Sequence, residues 1–153
     1  FLGNIEGKID AKGRAFLPAV FRKVLNNAGE DNLILRKDVF RHCLTLYPES
    51  VWNEQLDALR HRLNRWNPTH QQILRQFVAD VELLTPDGNG RILIPRRYLQ
   101  LAHIEQTVRF TGFDDVMEIW NPEEQKQAML NPEDFAQGLE DLMQDREQST
   151  KGQ

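Results

Sequence analysis

Asp10-Ala11-Lys12-Gly13-Arg14-Ala15-Phe16-Leu17-Pro18 returns later in the chain as Asp87-Gly88-Asn89-Gly90-Arg91-Ile92-Leu93-Ile94-Pro95, and Asp, Gly, Arg and Pro recur at the same four places. Self-similarity at a fixed offset sets the architecture before any single residue is interpreted. Within each copy the pattern is that of a tight turn. Asp at a turn start accepts backbone N–H groups two residues on, and Gly supplies a positive φ. Arg then holds a fixed place on the strand leaving the turn. Pro has no N–H to lose at a first helical position, so both prolines open a short helix.

The match extends outward. Ala19-Val20-Phe21-Arg22-Lys23-Val24-Leu25 follows the first Pro, and Arg96-Arg97-Tyr98-Leu99-Gln100-Leu101-Ala102 follows the second. Strand-like runs come next: Leu33-Ile34-Leu35 and Cys43-Leu44-Thr45-Leu46-Tyr47 in one copy, Val108-Arg109-Phe110 and Val116-Met117-Glu118-Ile119-Trp120 in the other. Each unit therefore reads strand, turn, strand, short helix, strand, strand. The expected division is a first module at 4–49, a helical insert at 50–79, a second module at 80–123 and a helical tail at 124–153. Modules of roughly 50 residues are too small to bury a good core alone, so two intertwined lobes sharing one core are expected.

In the insert, Trp52, Leu56, Leu59, Leu63 and Trp66 step as one face of a helix. That stripe either packs on its own domain or forms a seam with a neighbouring subunit. Asn67-Pro68, Asn121-Pro122 and Asn131-Pro132 each read as an N-cap followed by Pro at the first helical position. Phe135, Leu139, Leu142 and Met143 share a face of the last helix, with fraying expected from Glu147.

Hydrophobic residues make up 40% of the chain and charged ones 27%, the proportions of a soluble globular protein. No apolar run is long enough to cross a membrane, and Phe1-Leu2-Gly3-Asn4 is not patterned as a signal peptide. A single cysteine, Cys43, excludes an internal disulfide and fits a reducing cytoplasm; it reads as a small buried residue on a strand rather than a nucleophile. The net charge of −4 conceals an asymmetry. Residues 1–29 set Lys8, Lys12, Arg14, Arg22 and Lys23 against Glu6 and Asp10, whereas residues 105–153 carry four basic and twelve acidic residues. Such asymmetry signals a partner that the total hides.

Lys8, Lys12 and Arg14 cluster on the first hairpin, and Arg91 holds the matching place in the second. An arginine fork takes guanine O6/N7 or a phosphate bidentately, and two repeated turns presenting cations suit a groove or a phosphate backbone. Asp10, Gly13, Asp87 and Gly90 read as structural turn residues. Asn89 stands where the first copy has Lys12, which makes the second box the weaker DNA candidate. Two rival readings stand beside this one. One is an antitoxin-like interaction module, against which stand the second repeat and the long insert. The other is a shared-proton dyad of Asp10 and Asp87 in a hydrolase, but neither Asp is followed by Thr or Ser and Lys12 competes electrostatically. His42, His61, His70 and His103 lie far apart without metal-ligand spacing, and phosphate-loop or Ser/His/Asp signatures are lacking. A cofactor-free non-enzyme is expected.

The paired boxes Asp10-Ala11-Lys12-Gly13-Arg14 and Asp87-Gly88-Asn89-Gly90-Arg91, together with Phe1-Leu2-Gly3 and Leu46-Tyr47-Pro48, resemble the twin signatures of the MraZ family over nearly the whole chain. The resemblance implies an α+β fold of tandem AbrB-like swapped-hairpin modules forming a pseudo-dimeric barrel. It implies a cytoplasmic, nucleoid-associated bacterial regulator that assembles into a ring-like homo-oligomer. The implied partner is double-stranded DNA, in short G-rich direct repeats upstream of a division and cell-wall gene cluster, usually bound as a repressor.

Overall fold

A computed structural model describes the backbone of residues 1–151 and the side chains of residues 1–144. The first repeat folds as β1 (Asn4–Lys8), β2 (Arg14–Phe16), α1 (Ala19–Asn27), β3 (Leu33–Lys37) and β4 (Leu44–Pro48). Helices α2 (Glu49–Arg62) and α3 (Pro68–Ala79) follow. The second repeat gives β5 (Val81–Leu84), β6 (Arg91–Leu93), α4 (Arg96–Leu101), β7 (Thr107–Phe113) and β8 (Val116–Trp120), and α5 (Pro122–Ala128) and α6 (Pro132–Lys151) close the chain. The element order in each repeat is the one its sequence predicts.

The repeats exchange strands. One antiparallel sheet runs β1-β7-β8-β4-β3-β5. The first strand of each repeat leaves its own unit: Ile5 pairs with Phe110 on β7, and Leu84 pairs with Leu33 on β3. β4 and β8 meet at the centre, Leu44 opposite Ile119 and Leu46 opposite Met117. Among the described residues strands β2 and β6 pair only with each other. A pseudo-twofold therefore passes between β4 and β8 and between β2 and β6. The pseudo-dimeric barrel that the resemblance implies is not closed by these ladders. Among the described residues β1 and β5 each have one partner, so the large sheet stays open and the β2–β6 ribbon stands apart from it.

Equivalent positions of the two repeats fill one core. Ala15 and Ile92, Leu17 and Ile94, and Phe21 and Tyr98 are all 2% exposed or less, and they join Leu35, Leu44, Leu46, Phe110, Met117 and Ile119 in a single cluster. Each large side chain buried there contributes about 1.5–3 kcal/mol. Tyr98 also stacks under the Arg97 guanidinium, 4.4 Å from ring centroid to Cζ, and its hydroxyl accepts from Arg97 Nη2 at 2.9 Å. Burial, with Asp80 beside it, pushes the Tyr98 phenol up to about 12.

The Trp/Leu stripe is a correction. Helix α2 ends at Arg62 and Leu63 is already extended (φ −96°, ψ 141°), so residues 52–66 are not one helical face. Trp52 and Leu56 are buried; Trp52 stacks on Phe77 of α3 at 5.1 Å and meets Tyr47 edge-on at 5.3 Å. Trp66 lies beyond the helix and is 90% exposed. What ended the helix is the Asn64–Asn67 turn: Asn64 Oδ1 accepts from Trp66 N, and Asn67 Oδ1 caps α3 through Thr69 N and His70 N. Arg36 fixes the far end of α3 by donating from Nε to Phe77 O at 3.1 Å.

Contacts divide the chain into two compact units, Phe1–Pro122 and the residues from Glu123 onward. In the second, Asn131 Oδ1 caps α6 through Asp134 N at 2.8 Å, and Phe135, Leu139, Leu142 and Met143 are all exposed. The helix continues past Glu147 to Lys151, so the fraying predicted from Glu147 does not start there; residues 152 and 153 lie outside the described residues. No described helix is long and apolar enough to cross a membrane.

Candidate nucleic-acid interface

The two boxes fold into turns with the same hydrogen-bond pattern. In the first, Asp10 Oδ1 accepts from Lys12 N and Arg14 N, both at 2.9 Å, while Oδ2 accepts from Arg14 Nε at 2.8 Å. In the second, Asp87 Oδ1 accepts from Asn89 N and Arg91 N at 2.9 Å, and Oδ2 from Arg91 Nε at 3.0 Å. Gly13 and Gly90 carry the positive φ of each turn, +90° and +81°. Each turn also clasps the other repeat: Ile94 N donates to Gly13 O at 2.9 Å, and Leu17 N to Gly90 O at 3.0 Å.

The ribbon converts these turns into one surface. Ala15 and Ile92 point inward and are buried, so their neighbours point out. Arg14 lies opposite Leu93 and Phe16 opposite Arg91. Phe16 and Leu93 are 62% and 55% exposed, and the Arg91 guanidinium sits 6.0 Å from the Phe16 ring. Both arginines thus share one outer face. Each has Nε tied to its own Asp, and neither has a partner for its Nη groups among the described residues. Lys12 is exposed on the first turn and Lys8 is exposed at the end of β1, beside it. Sequence reasoning placed these residues on separate hairpins and missed Phe16 and Leu93. Their only signal was the shared apolar residue two places after each Arg.

Both aspartates are held below the ordinary carboxylate range, against desolvation, by N–H donors. For Asp10 the largest cause is the Arg14 backbone N–H, and for Asp87 it is that of Arg91. A shared-proton dyad needs one carboxyl raised by its twin. Here each carboxylate is bound by its own turn and shifted down.

Elsewhere the fold gathers two small clusters. His42 and His103, distant in sequence, meet edge-on at 5.2 Å. Ligand atoms of Asp38, Cys43 and Glu118 lie within 4.8 Å of one another. Asp38 Oδ2 already accepts from Phe40 N and Arg41 N, and Glu118 Oε1 from Trp120 Nε1. Burial, with Glu118 and Asp38 close by, pushes the Cys43 thiol far up, so Cys43 is an inert thiol just ahead of β4.

Fold and site together define a duplicated, strand-exchanged α+β protein that carries a paired arginine ribbon on its surface. Residues 1–76 and again 77–146 match the family described as "MraZ protein, putative antitoxin-like". The chain is 61% identical over 145 residues to a transcriptional regulator MraZ of Bacteroides thetaiotaomicron, covering 95% of this chain and 93% of that one. It is 62% identical to the protein of that name from Phocaeicola vulgatus, with 94% and 93% covered, and 33% identical to that of Christiangramia forsetii, with 93% and 92% covered. The chain belongs to the MraZ family.

Proposed function

We propose that this protein is a sequence-specific DNA-binding transcriptional regulator that represses its own division and cell-wall gene cluster from short direct repeats upstream. The observation that carries the reading is the ribbon, with Arg14 and Arg91 on one exposed face. The names of its relatives support transcriptional regulation. A two-stranded β-ribbon fits the major groove, and an arginine fork reads guanine O6 and N7 there. Asp10 holds Arg14 by Nε, which leaves the two Nη groups free for a base edge. Arg91 is arranged in the same way by Asp87. Phe16 and Leu93 supply apolar contacts between the two forks, and Lys8 and Lys12 meet phosphates. Asp10, Gly13, Asp87 and Gly90 shape the turns. The modules at 4–49 and 80–123 act as a swapped-hairpin pair around the insert at 50–79, and residues 124–153 form a helical tail.

The protein works in the cytoplasm on the nucleoid, as a ring-like homo-oligomer. Two related but non-identical lobes can join head to tail, and such contacts close into rings. The exposed apolar face of α6 supports self-association; Trp52, buried in its own chain, does not.

The test is binding to duplex DNA from upstream of the protein's own coding sequence, over a salt series, with oligomer size checked for every variant. Arg14→Ala is expected to lose about 1–3 kcal/mol of discrimination per site. Lys12→Ala is expected to weaken all sequences alike and to flatten the salt slope by about one unit per engaged subunit. If Arg14→Ala keeps its size and binds like the parent, the box is only a turn. The family description also favours an antitoxin-like interaction module; specific recovery of one small protein partner, with no DNA binding, would select it.

A further inference from the structure

The fold covers each box with the helix of the other repeat. Lys12, Gly13, Arg96 and Leu99 line a cleft of about 640 Å³ between the first turn and α4. The second turn faces α1. A Cβ at Gly90 would fall 2.9 Å from Arg22 Cζ and 3.0 Å from Arg22 Cδ, so the Arg22 side chain rests on the glycine of the second box. Arg22 and Leu99 hold the same place in the two repeats, as do Lys12 and Asn89. The turn with a lysine is therefore covered by Arg96 and Leu99 of α4, and the turn with an asparagine by Arg22 of α1.

Arg22 is also unsatisfied. Its Nε is buried and has no hydrogen-bond partner among the described residues, and the residue is half-buried. Nε itself is sealed from an incoming ligand, so the Nη groups, which carry no hydrogen bond among the described residues, are the donors that an anionic oxygen can reach. The planar fork suits a phosphate oxyanion.

We propose that Arg22 is the phosphate-binding cation of the second box, supplied across the pseudo-twofold by α1 of the first repeat. DNA then meets a cation at both turns: Lys12 at one and Arg22 at the other. This deepens the DNA-binding reading above and rests on it.

The experiment uses the full chain, Arg22→Gln and Arg22→Lys, with Lys12→Ala as control. The probes are the upstream duplex, an unrelated duplex of equal length, and inorganic phosphate alone. Arg22→Gln is expected to weaken both duplexes alike and to reduce the slope of log affinity against log salt by about one unit per engaged subunit. Arg22→Lys is expected to restore that slope. In the parent, the ¹⁵N signal of Arg22 Nε is expected to shift when DNA is added. Should Arg22→Gln fail to fold, that signal decides: a shift on adding DNA supports the assignment and an unchanged signal overturns it. If Arg22→Gln folds and keeps the parent's slope while Lys12→Ala loses its own, Arg22 is no contact and the DNA-binding reading survives. A changed preference between duplexes at constant slope would make Arg22 a base reader and overturn the phosphate assignment. A shift with inorganic phosphate but none with DNA would mark a free-anion site and overturn the nucleic-acid source. If the parent binds neither duplex, the DNA-binding reading itself fails, and this proposal with it.

Discussion

At the residue scale the turns rest on positions where one side chain is tolerated and others are not. Gly13 has φ +90°, and a Cβ there would meet Ile94 O at 2.8 Å, a backbone carbonyl just past β6 whose own N–H is bonded to Gly13 O. Gly29 has φ +68° with nothing within 4 Å. Gly13→Ala should therefore cost about 1–3 kcal/mol in chemical denaturation, and Gly29→Ala clearly less. The aspartates add a pH dependence. A carboxylate whose folded value is depressed stabilises the fold above its unfolded value and loses that contribution as pH falls through the folded one. Asp10 and Asp87 are both lowered from 3.8, so stability should fall as pH drops below about that value. The Asp10→Asn/Asp87→Asn protein should show a shallower decline of melting temperature with acid; an equal decline would locate the acid sensitivity elsewhere. The Asp–Arg chemistry of these turns was legible because the bonds each Asp accepts lie within four residues of it. Arg22 was not legible as part of the second box, because its proximity to Gly90 is made by tertiary packing. The ranking of the boxes from Asn89 alone had no access to it.

At the element scale, strands and helices appeared where period, Pro and Asn predicted them except at the end of α2, and the other misreading came from pairing. Nothing in three residues of β2 or β6 names a partner, yet Arg14, Phe16, Arg91 and Leu93 share a face only because these strands pair with each other. The run from Trp52 to Trp66 kept helical spacing past the point where Leu63 turns extended, since periodicity does not register a capping asparagine. The ribbon's inward side offers a test. Ile92 is fully buried beneath both forks. Ile92→Ala should cost about 2–5 kcal/mol and impair both boxes together. Loss of binding through one box alone would contradict a ribbon that acts as a unit.

At the scale of the whole molecule, strand exchange makes the repeats interdependent. β1 relies on β7, β2 on β6, and β3 pairs with β5. A fragment of residues 1–50 should lack cooperative melting as a monomer in circular dichroism and ultracentrifugation; a folded monomeric fragment would contradict the exchanged architecture. Light scattering of the intact chain at micromolar concentration should report a homo-oligomer, and a stable monomer would remove the ring from the account. The central claim is that the paired ribbon reads DNA. Footprinting of the DNA upstream of the gene, with the parent and with Arg14→Ala/Arg91→Ala, tests it most directly. The account predicts evenly spaced short protected repeats for the parent and their loss in a double variant of unchanged oligomer size. Protection by the variant equal to that of the parent, or no protection by the parent at low salt, would contradict it.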